Sequence, residues 1–267
     1  AIMGLAPKAV FHLAAITDTL VLDEKKMISV NTEPFIDILD ACDESNIPLV
    51  YASSAATYGT PPQAAQETPF PTEAAGNPMN VYGFSKWLMD VETNRLFESS
   101  MIESGDRPHV VGLRYFNVYG PGESRKGRMA SMVYNLTQQM LSGNNPKIFE
   151  HGQHQRDQVH VDDVVSCTLA AAKPTAKPGI YNLGSGTVTT FNDIVDAIND
   201  ALGTSMPPDY IPMPEQMVNS YQHYTCADMS ETKSGLDWEP ALVPSEAIRQ
   251  YAAQLAQDYQ NATSTNA

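Results

Sequence analysis

The chain has 267 residues, 42% apolar and 18% charged, enough for one large domain or two modest ones with a full core. Its 16 basic and 31 acidic side chains leave a net charge of −15, which repels nucleic-acid backbone and anionic membrane surface, so nucleic acid is excluded as a partner. Cys42, Cys167 and Cys226 are far apart and form no C-x-x-C pair, so neither a disulfide framework nor a thiolate zinc site is expected, and a reducing cytoplasmic setting fits. No apolar run is long enough to span a membrane, and the N-terminus lacks a signal-peptide pattern.

Three apolar runs in the first half, AVFHLAA (9–15), IPLVYASS (47–54) and HVVGLRYFNVYG (109–120), read as strands buried on both faces. Between the first two, MISVNTEPFIDILDACDESN presents a helical apolar face of Ile28, Phe35, Ile36, Ile38, Leu39 and Cys42. Between the second and third, VYGFSKWLMDVETNRLFESSMIES does the same with Val81, Phe84, Leu88, Val91 and Leu96. Strand, helix, strand, helix, strand predicts an α/β, doubly wound parallel sheet. Next come a helix in MASMVYNLTQQMLSG, a charged loop FEHGQHQRDQVHVDD, a helix in VVSCTLAAAKP and a strand GIYNLGSG. A helix FNDIVDAINDALG, a proline-rich stretch, a closing helix SEAIRQYAAQLAQDY and a fraying polar tail NATSTNA complete the chain. Residues 1–118 are assigned to a dinucleotide-binding domain and 119–267 to a smaller C-terminal substrate-binding region, with the strand near 179–184 returning to the first sheet.

Tyr82 and Lys86 in NVYGFSK are four apart, so on a helix they share a face. An ammonium beside a phenol favours the phenolate and brings a poor base toward working range. Ser53 and Ser54 end the preceding strand, where open α/β sheets collect ligands. Serine, tyrosine and lysine together suit moving a proton on or off a sugar hydroxyl. Taken alone, the pair reads equally as two amphipathic side chains on one helix face.

YASSAATYG (51–59), NVYGFSK (80–86), RYFNVYGP (114–121) and RDQVHVDDV (156–164), in this order, resemble the extended short-chain dehydrogenase/reductase family of nucleotide-sugar epimerases and dehydratases, a Rossmann-like fold. The resemblance runs from about Ala9 to about Tyr259. The run KG-x-MAS after RYFNVYGP is the narrower signal, pointing to members that epimerise an ADP-activated heptose at C6 for surface polysaccharide (lipopolysaccharide) synthesis. The resemblance implies oxidation and re-reduction of one sugar carbon with bound NADP, NAD being the other choice.

It also implies roles. Tyr82 is one acid/base, Lys86 anchors the nicotinamide ribose and biases the tyrosine, Ser54 hydrogen-bonds the reacting sugar, and Lys126 is the second acid/base. Leu13, Ala14, Ala15, Ile16 and Thr17 line the cofactor, with Asn31 close to another contact, although the equivalent position is alternatively Val30. Val118 lies beside the nicotinamide and Asn117 touches substrate. The substrate's nucleotide end lies against Arg128, Asn135, Phe149, Glu150, His151, Gly152, Arg156 and Tyr221. A homo-oligomer is left open.

Rival readings remain. A nucleotide-sugar 4-epimerase or dehydratase is disfavoured by KG-x-MAS, and dehydratases place acidic residues where this chain has Ala55 and Ala56. A non-catalytic remnant binding a nucleotide sugar or a partner chain is the rival of another class. The family's opening G-x-x-G-x-x-G turn is not found, so an N-terminally truncated fold lacking roughly sixty residues is expected, with AVFHLAA left as an open sheet edge. Gly184-Ser185-Gly186 fails as a dinucleotide loop because Thr189 stands at its third position, and it reads as a structural turn. His151, His154 and His160 beside Asp157, Asp162 and Asp163 lack the one-face spacing of a metal site, so no metal is expected. His12 reads as a hydrogen-bonded core histidine, and Trp87 and Trp238 as packing residues.

Overall fold

A computed structural model describes residues 4, 7–215 and 221–265. In chain order the elements are β1 (Val10–His12), α1 (Glu24–Asn31), α2 (Glu33–Glu44), β2 (Leu49–Ser54), the short α3 (Pro62–Gln66), α4 (Val81–Glu103), β3 (Val110–Tyr115) and β4 (Asn117–Tyr119). They continue with α5 (Met132–Leu141), β5 (Lys147–Phe149), β6 (Gln155–Arg156), β7 (Gln158–His160), α6 (Val161–Ala171) and β8 (Gly179–Leu183). β9 (Thr189–Thr190), α7 (Phe191–Leu202), β10 (Asp209–Ile211), α8 (Ser230–Leu236) and α9 (Pro244–Thr265) close the chain.

The chain divides into two compact units. The first comprises the chain up to Phe116 together with Val164–Leu183 and Ala227–Glu239. It is built on a four-stranded sheet of order β1-β2-β3-β8, every pair parallel. β2 and β3 are buried along nearly their whole length, as strands covered on both faces must be. On one face Phe35, Leu39 and Cys42 of α2 and Met89 and Phe97 of α4 pack with Leu49, Tyr51 and Val110. On the other, the Tyr115 hydroxyl meets Thr168 of α6 at 3.0 Å. Helices on both faces of a parallel sheet make this an α/β, Rossmann-like unit, and β8 joins the sheet as expected. Among the described residues β1 pairs only with β2.

The second unit, Asn117–Asp163, Gly184–Cys226 and the chain from Pro240 onward, holds three two-stranded sheets: β10-β5, β4-β7 and β6-β9. Its core joins Val133 and Leu136 of α5, Ile148, Phe191, Ile194 and Ile198 of α7, and Ile248 and Tyr251 of α9.

Several expectations are corrected. The helix expected across 27–46 is two helices, because Thr32 interrupts it and Pro34, lacking an N–H, suits the first turn of a new helix. The third apolar run is two strands: the chain leaves the sheet at Phe116, and β4 pairs with β7 instead. The charged loop contains β6 and β7. α9 continues to Thr265 through most of the tail expected to fray, while Asn266 and Ala267 lie outside the described residues. The first break falls after Phe116, and Val164–Leu183, which includes the strand expected to return, and Ala227–Glu239 belong to the first unit.

Candidate active site

Tyr82 stands in the first turn of α4. Asn80 caps that turn, its side chain accepting from the Gly83 amide at 2.8 Å. A Cβ at Gly83 would lie 2.6 Å from the Ala56 carbonyl oxygen, so only glycine lets the helix start come this close to the turn after β2. That turn begins at Ser54, whose Oγ accepts from the Ala56 amide at 3.1 Å. The close approach sets the Ser54 hydroxyl beside the Tyr82 phenol. Burial raises the pKa of Tyr82, and the Ser54 hydroxyl acts in the opposite direction.

Lys86 lies one helical turn on, 1% exposed, with Nζ donating to the Ala52 carbonyl at 2.8 Å. Burial holds its pKa down to about 8, and Asp90, a further turn along, pushes back. The forces on Tyr82 are burial and Ser54, while the Lys86 amine is committed to a backbone carbonyl. Asp90 accepts from Tyr51 Oη at 3.0 Å and pairs with Arg114 Nε at 2.8 Å. Arg114 also donates to the Thr72 carbonyl and to Tyr58 Oη. Sequence reasoning missed Asp90 and Arg114. Both had a signal: Asp90 continues the four-residue stripe Tyr82–Lys86, and Arg114 is a charge inside an apolar strand run, which requires a partner.

Leu13–Thr17 follows β1 as an irregular segment, with Leu13 49% exposed. Asn31 holds it, accepting from the Ile16 amide at 2.7 Å and donating to the Ile16 carbonyl at 3.0 Å. Asn31 is fully buried, and its amide also reaches Ser85 Oγ and Met27 Sδ. Its polar atoms are thus engaged inside the protein, where they position the loop. Val30 is 43% exposed. His12 is buried beside Phe35, but its Nε2 has no hydrogen-bond partner among the described residues, contrary to expectation, and neither has Ser53 Oγ. Burial first and then the Lys86 charge lower the His12 pKa. An accessible loop at a strand's carboxyl end, a buried cation and an orphaned hydroxyl fit the nicotinamide and ribose end of a pyridine nucleotide.

The remaining candidates lie in the second unit. Arg156, 7% exposed, donates to the Gln155 and Gln222 carbonyls and stacks over Tyr221 at 4.9 Å and Phe191 at 5.9 Å. Burial lowers its pKa, countered by Tyr221. Phe149 meets Tyr221 edge-on at 5.9 Å, so Phe149, Arg156 and Tyr221 form one cluster. Phe191 and His223, which were not read from the sequence, belong to it too, as does His154, which stacks on His223 at 4.7 Å and meets Tyr221 at 5.1 Å. His151 packs on Tyr210, and Gly152 adopts φ +68 where a Cβ would strike Asn192. Glu150 is exposed. Asn117, exposed, accepts weakly from Thr225 at 3.5 Å, and Val118 beside it is half-buried. Asn135 donates to the Ala130 carbonyl at 2.9 Å. Lys126 and Arg128 are exposed on the turn Glu123–Met129.

The Gly184-Ser185-Gly186 turn does cradle an anion, but that anion is the buried Asp157. Its carboxylate accepts from the Ser185 amide (2.6 Å), the Ser185 hydroxyl (2.8 Å) and the Gly186 amide (3.0 Å). Asp163 likewise accepts the Ala241 and Leu242 amides. Trp238 donates to Ser166 at 2.9 Å.

Residues 1–184 match the profile of a family described as the NAD dependent epimerase/dehydratase family. The chain is similar to the ADP-L-glycero-D-manno-heptose-6-epimerase of Brachyspira hyodysenteriae, 38% identical over 92% of this chain and 74% of the relative. Among solved structures it is similar to the ADP-L-glycero-D-manno-heptose-6-epimerase of Helicobacter pylori, with TM-score 0.79 and 32% identity over 95% of this chain and 74% of that one. It is also similar to the UDP-glucose 4-epimerase of Thermotoga maritima solved with UDP-glucose, with TM-score 0.81 and 26% identity over 96% and 80% of the two chains. With the parallel sheet and the Ser54–Tyr82–Lys86 arrangement, these likenesses establish that the chain belongs to the NAD dependent epimerase/dehydratase family.

Proposed function

We propose that the protein inverts C6 of an ADP-activated glycero-manno-heptose, using NADP, in the cytoplasmic supply of lipopolysaccharide sugars. The observation that carries this reading is Ser54 set beside Tyr82 by the close approach at Gly83, with Lys86 one turn beneath, in a chain 38% identical to an enzyme of that name. NADP, when bound, supplies a reversible acceptor for the electron pair taken from the sugar carbon. Leu13–Thr17, positioned by Asn31, and Lys86 hold its nicotinamide and ribose end, with Val118 beside it.

Tyr82 exchanges the proton of the reacting sugar hydroxyl, and Ser54 aligns both oxygens. Inversion needs a proton donor and acceptor on the opposite face of the sugar, the role assigned to Lys126. Asn117 contacts the sugar. Arg156, Tyr221 and Phe149 form a cationic and aromatic platform for the nucleotide end, with Arg128, Asn135 and Glu150–Gly152 around it.

The test is turnover of the ADP-heptose by the natural full-length polypeptide. Tyr82→Phe and Lys126→Met are each expected to lower kcat at least about a hundredfold. Wild-type turnover in Tyr82→Phe contradicts the mechanism. Faster turnover of UDP-hexoses than of ADP-heptose favours the 4-epimerase reading instead.

A further inference from the structure

The segment that carries Lys126 leaves β4 at Tyr119 and enters α5 at Met132. Between them, Pro121, Gly122 and Ser124–Arg128 are exposed, and Gly127 (φ 55, ψ −129) breaks the turn immediately after Lys126. Glycine at that φ adds freedom, so the turn's own backbone cannot fix where Lys126 points.

One side chain closes the segment. Glu123 is 5% exposed, and its Oε1 accepts from the Gly120 amide at 3.3 Å and from Ser131 Oγ at 2.8 Å. Its Oε2 accepts from the Ser131 amide at 2.6 Å. Tyr251, on α9, lies near enough for the same carboxylate to raise its pKa. Ser131 in turn caps α5, its Oγ accepting from the Tyr134 amide at 3.1 Å. Thus one buried carboxylate ties together the residue before the turn, the residue after it and the start of a helix. Three donors converge on it, and charge-assisted bonds of this kind are the strong ones.

We propose that Glu123 is the positioning residue of the reaction, fastening both ends of the turn so that Lys126 is presented in one orientation to the substrate. The inference rests on the reading of Lys126 given above. Glu123 touches neither substrate nor cofactor in this account, and acts only through the turn. Glu123→Gln puts a donor where the carboxylate accepts from N–H and O–H groups, and so loosens the turn at constant size.

The experiment compares wild type, Glu123→Gln, Lys126→Met and the double variant in the natural full-length polypeptide, with two readouts. The first is kcat and KM for the ADP-heptose. Glu123→Gln is expected to lower kcat at least tenfold with KM changed less than threefold, and to add no further loss to the residual turnover of Lys126→Met. The second, independent of turnover, is trypsin cleavage at Arg125, Lys126 and Arg128, expected to be at least tenfold faster in Glu123→Gln than in wild type. An equal fractional loss of turnover in the wild-type and Lys126→Met backgrounds overturns the proposal, since Glu123 would then act independently of Lys126. Unchanged turnover and cleavage in Glu123→Gln overturn it as well, while leaving the reading of Lys126 intact. Wild-type turnover in Lys126→Met refutes the reading of Lys126 itself, and the proposal falls with it. Should Glu123→Gln fail to fold, Ser131→Ala removes one donor and is expected to shift both readouts in the same direction, at least threefold.

Discussion

A lysine with Nζ buried against a backbone carbonyl works against the fold, and Lys86 is such a residue. Its displacement from the ordinary value near 10.5 to about 8 corresponds to about 3 kcal/mol, less about 1 kcal/mol for the bond to the Ala52 carbonyl. Because the folded-state value is the lower one, this cost is complete below pH 8, shrinks as pH rises, and vanishes above the unfolded value. Lys86→Met is therefore expected to abolish turnover yet raise unfolding stability by about 2 kcal/mol at pH 7, a gain that fades toward pH 10. Urea unfolding at the two pH values checks it, and a less stable variant at pH 7 contradicts it. Gly83 gives a second prediction. Gly83→Ala must move the start of α4 away from Ala56, breaking the Ser54–Tyr82 approach at a cost of about 1–3 kcal/mol. Its kcat is expected to fall at least tenfold, read by the same turnover assay.

At the scale of elements, α4 was legible as a helix but not in its orientation. Its apolar residues suggested a face of Val81, Phe84, Leu88, Val91 and Leu96, whereas the buried set is Gly83, Ser85, Lys86, Met89, Asp90, Thr93 and Phe97. Phe84 stays 42% exposed. Hydrophobic pattern misleads here because small residues permit close approach and two charges are buried with partners: Asp90 and Arg114 have side chains only 2% and 7% exposed. Breaking such a pair strands a buried charge. Asp90→Asn is expected to lower unfolding stability by about 3–5 kcal/mol, and adding Arg114→Met to recover part of that loss. A loss below about 1 kcal/mol by urea unfolding would show the pair to be dispensable. β2 and β3, by contrast, were readable at once, since strands buried on both faces are apolar runs wherever they occur.

At the scale of the whole molecule, the candidate residues divide between the units: Leu13–Thr17, Ser54, Tyr82 and Lys86 in the first, and Asn117, Lys126 and Arg156 in the second. The motifs were legible because each is local, a few residues at fixed spacing. What joined them was legible only in part: the strand near 179–184 was expected back in the first sheet, but no local pattern announces that Ala227–Glu239 returns to the first unit, or that Asp157 is the anion held by Ser185 and Gly186. Glu123 escaped notice for the same reason, since its meaning lies in donors on Gly120 and Ser131 at the two ends of the turn. In the proposed function these residues serve an oxidation and re-reduction at one sugar carbon, and not proton abstraction from that carbon. The most direct measurement is conversion of the ADP-heptose in D2O with NADP, followed by mass spectrometry and NMR of the product. Inverted product with no deuterium on the inverted carbon is expected, and deuterium incorporated there would contradict hydride return to that carbon.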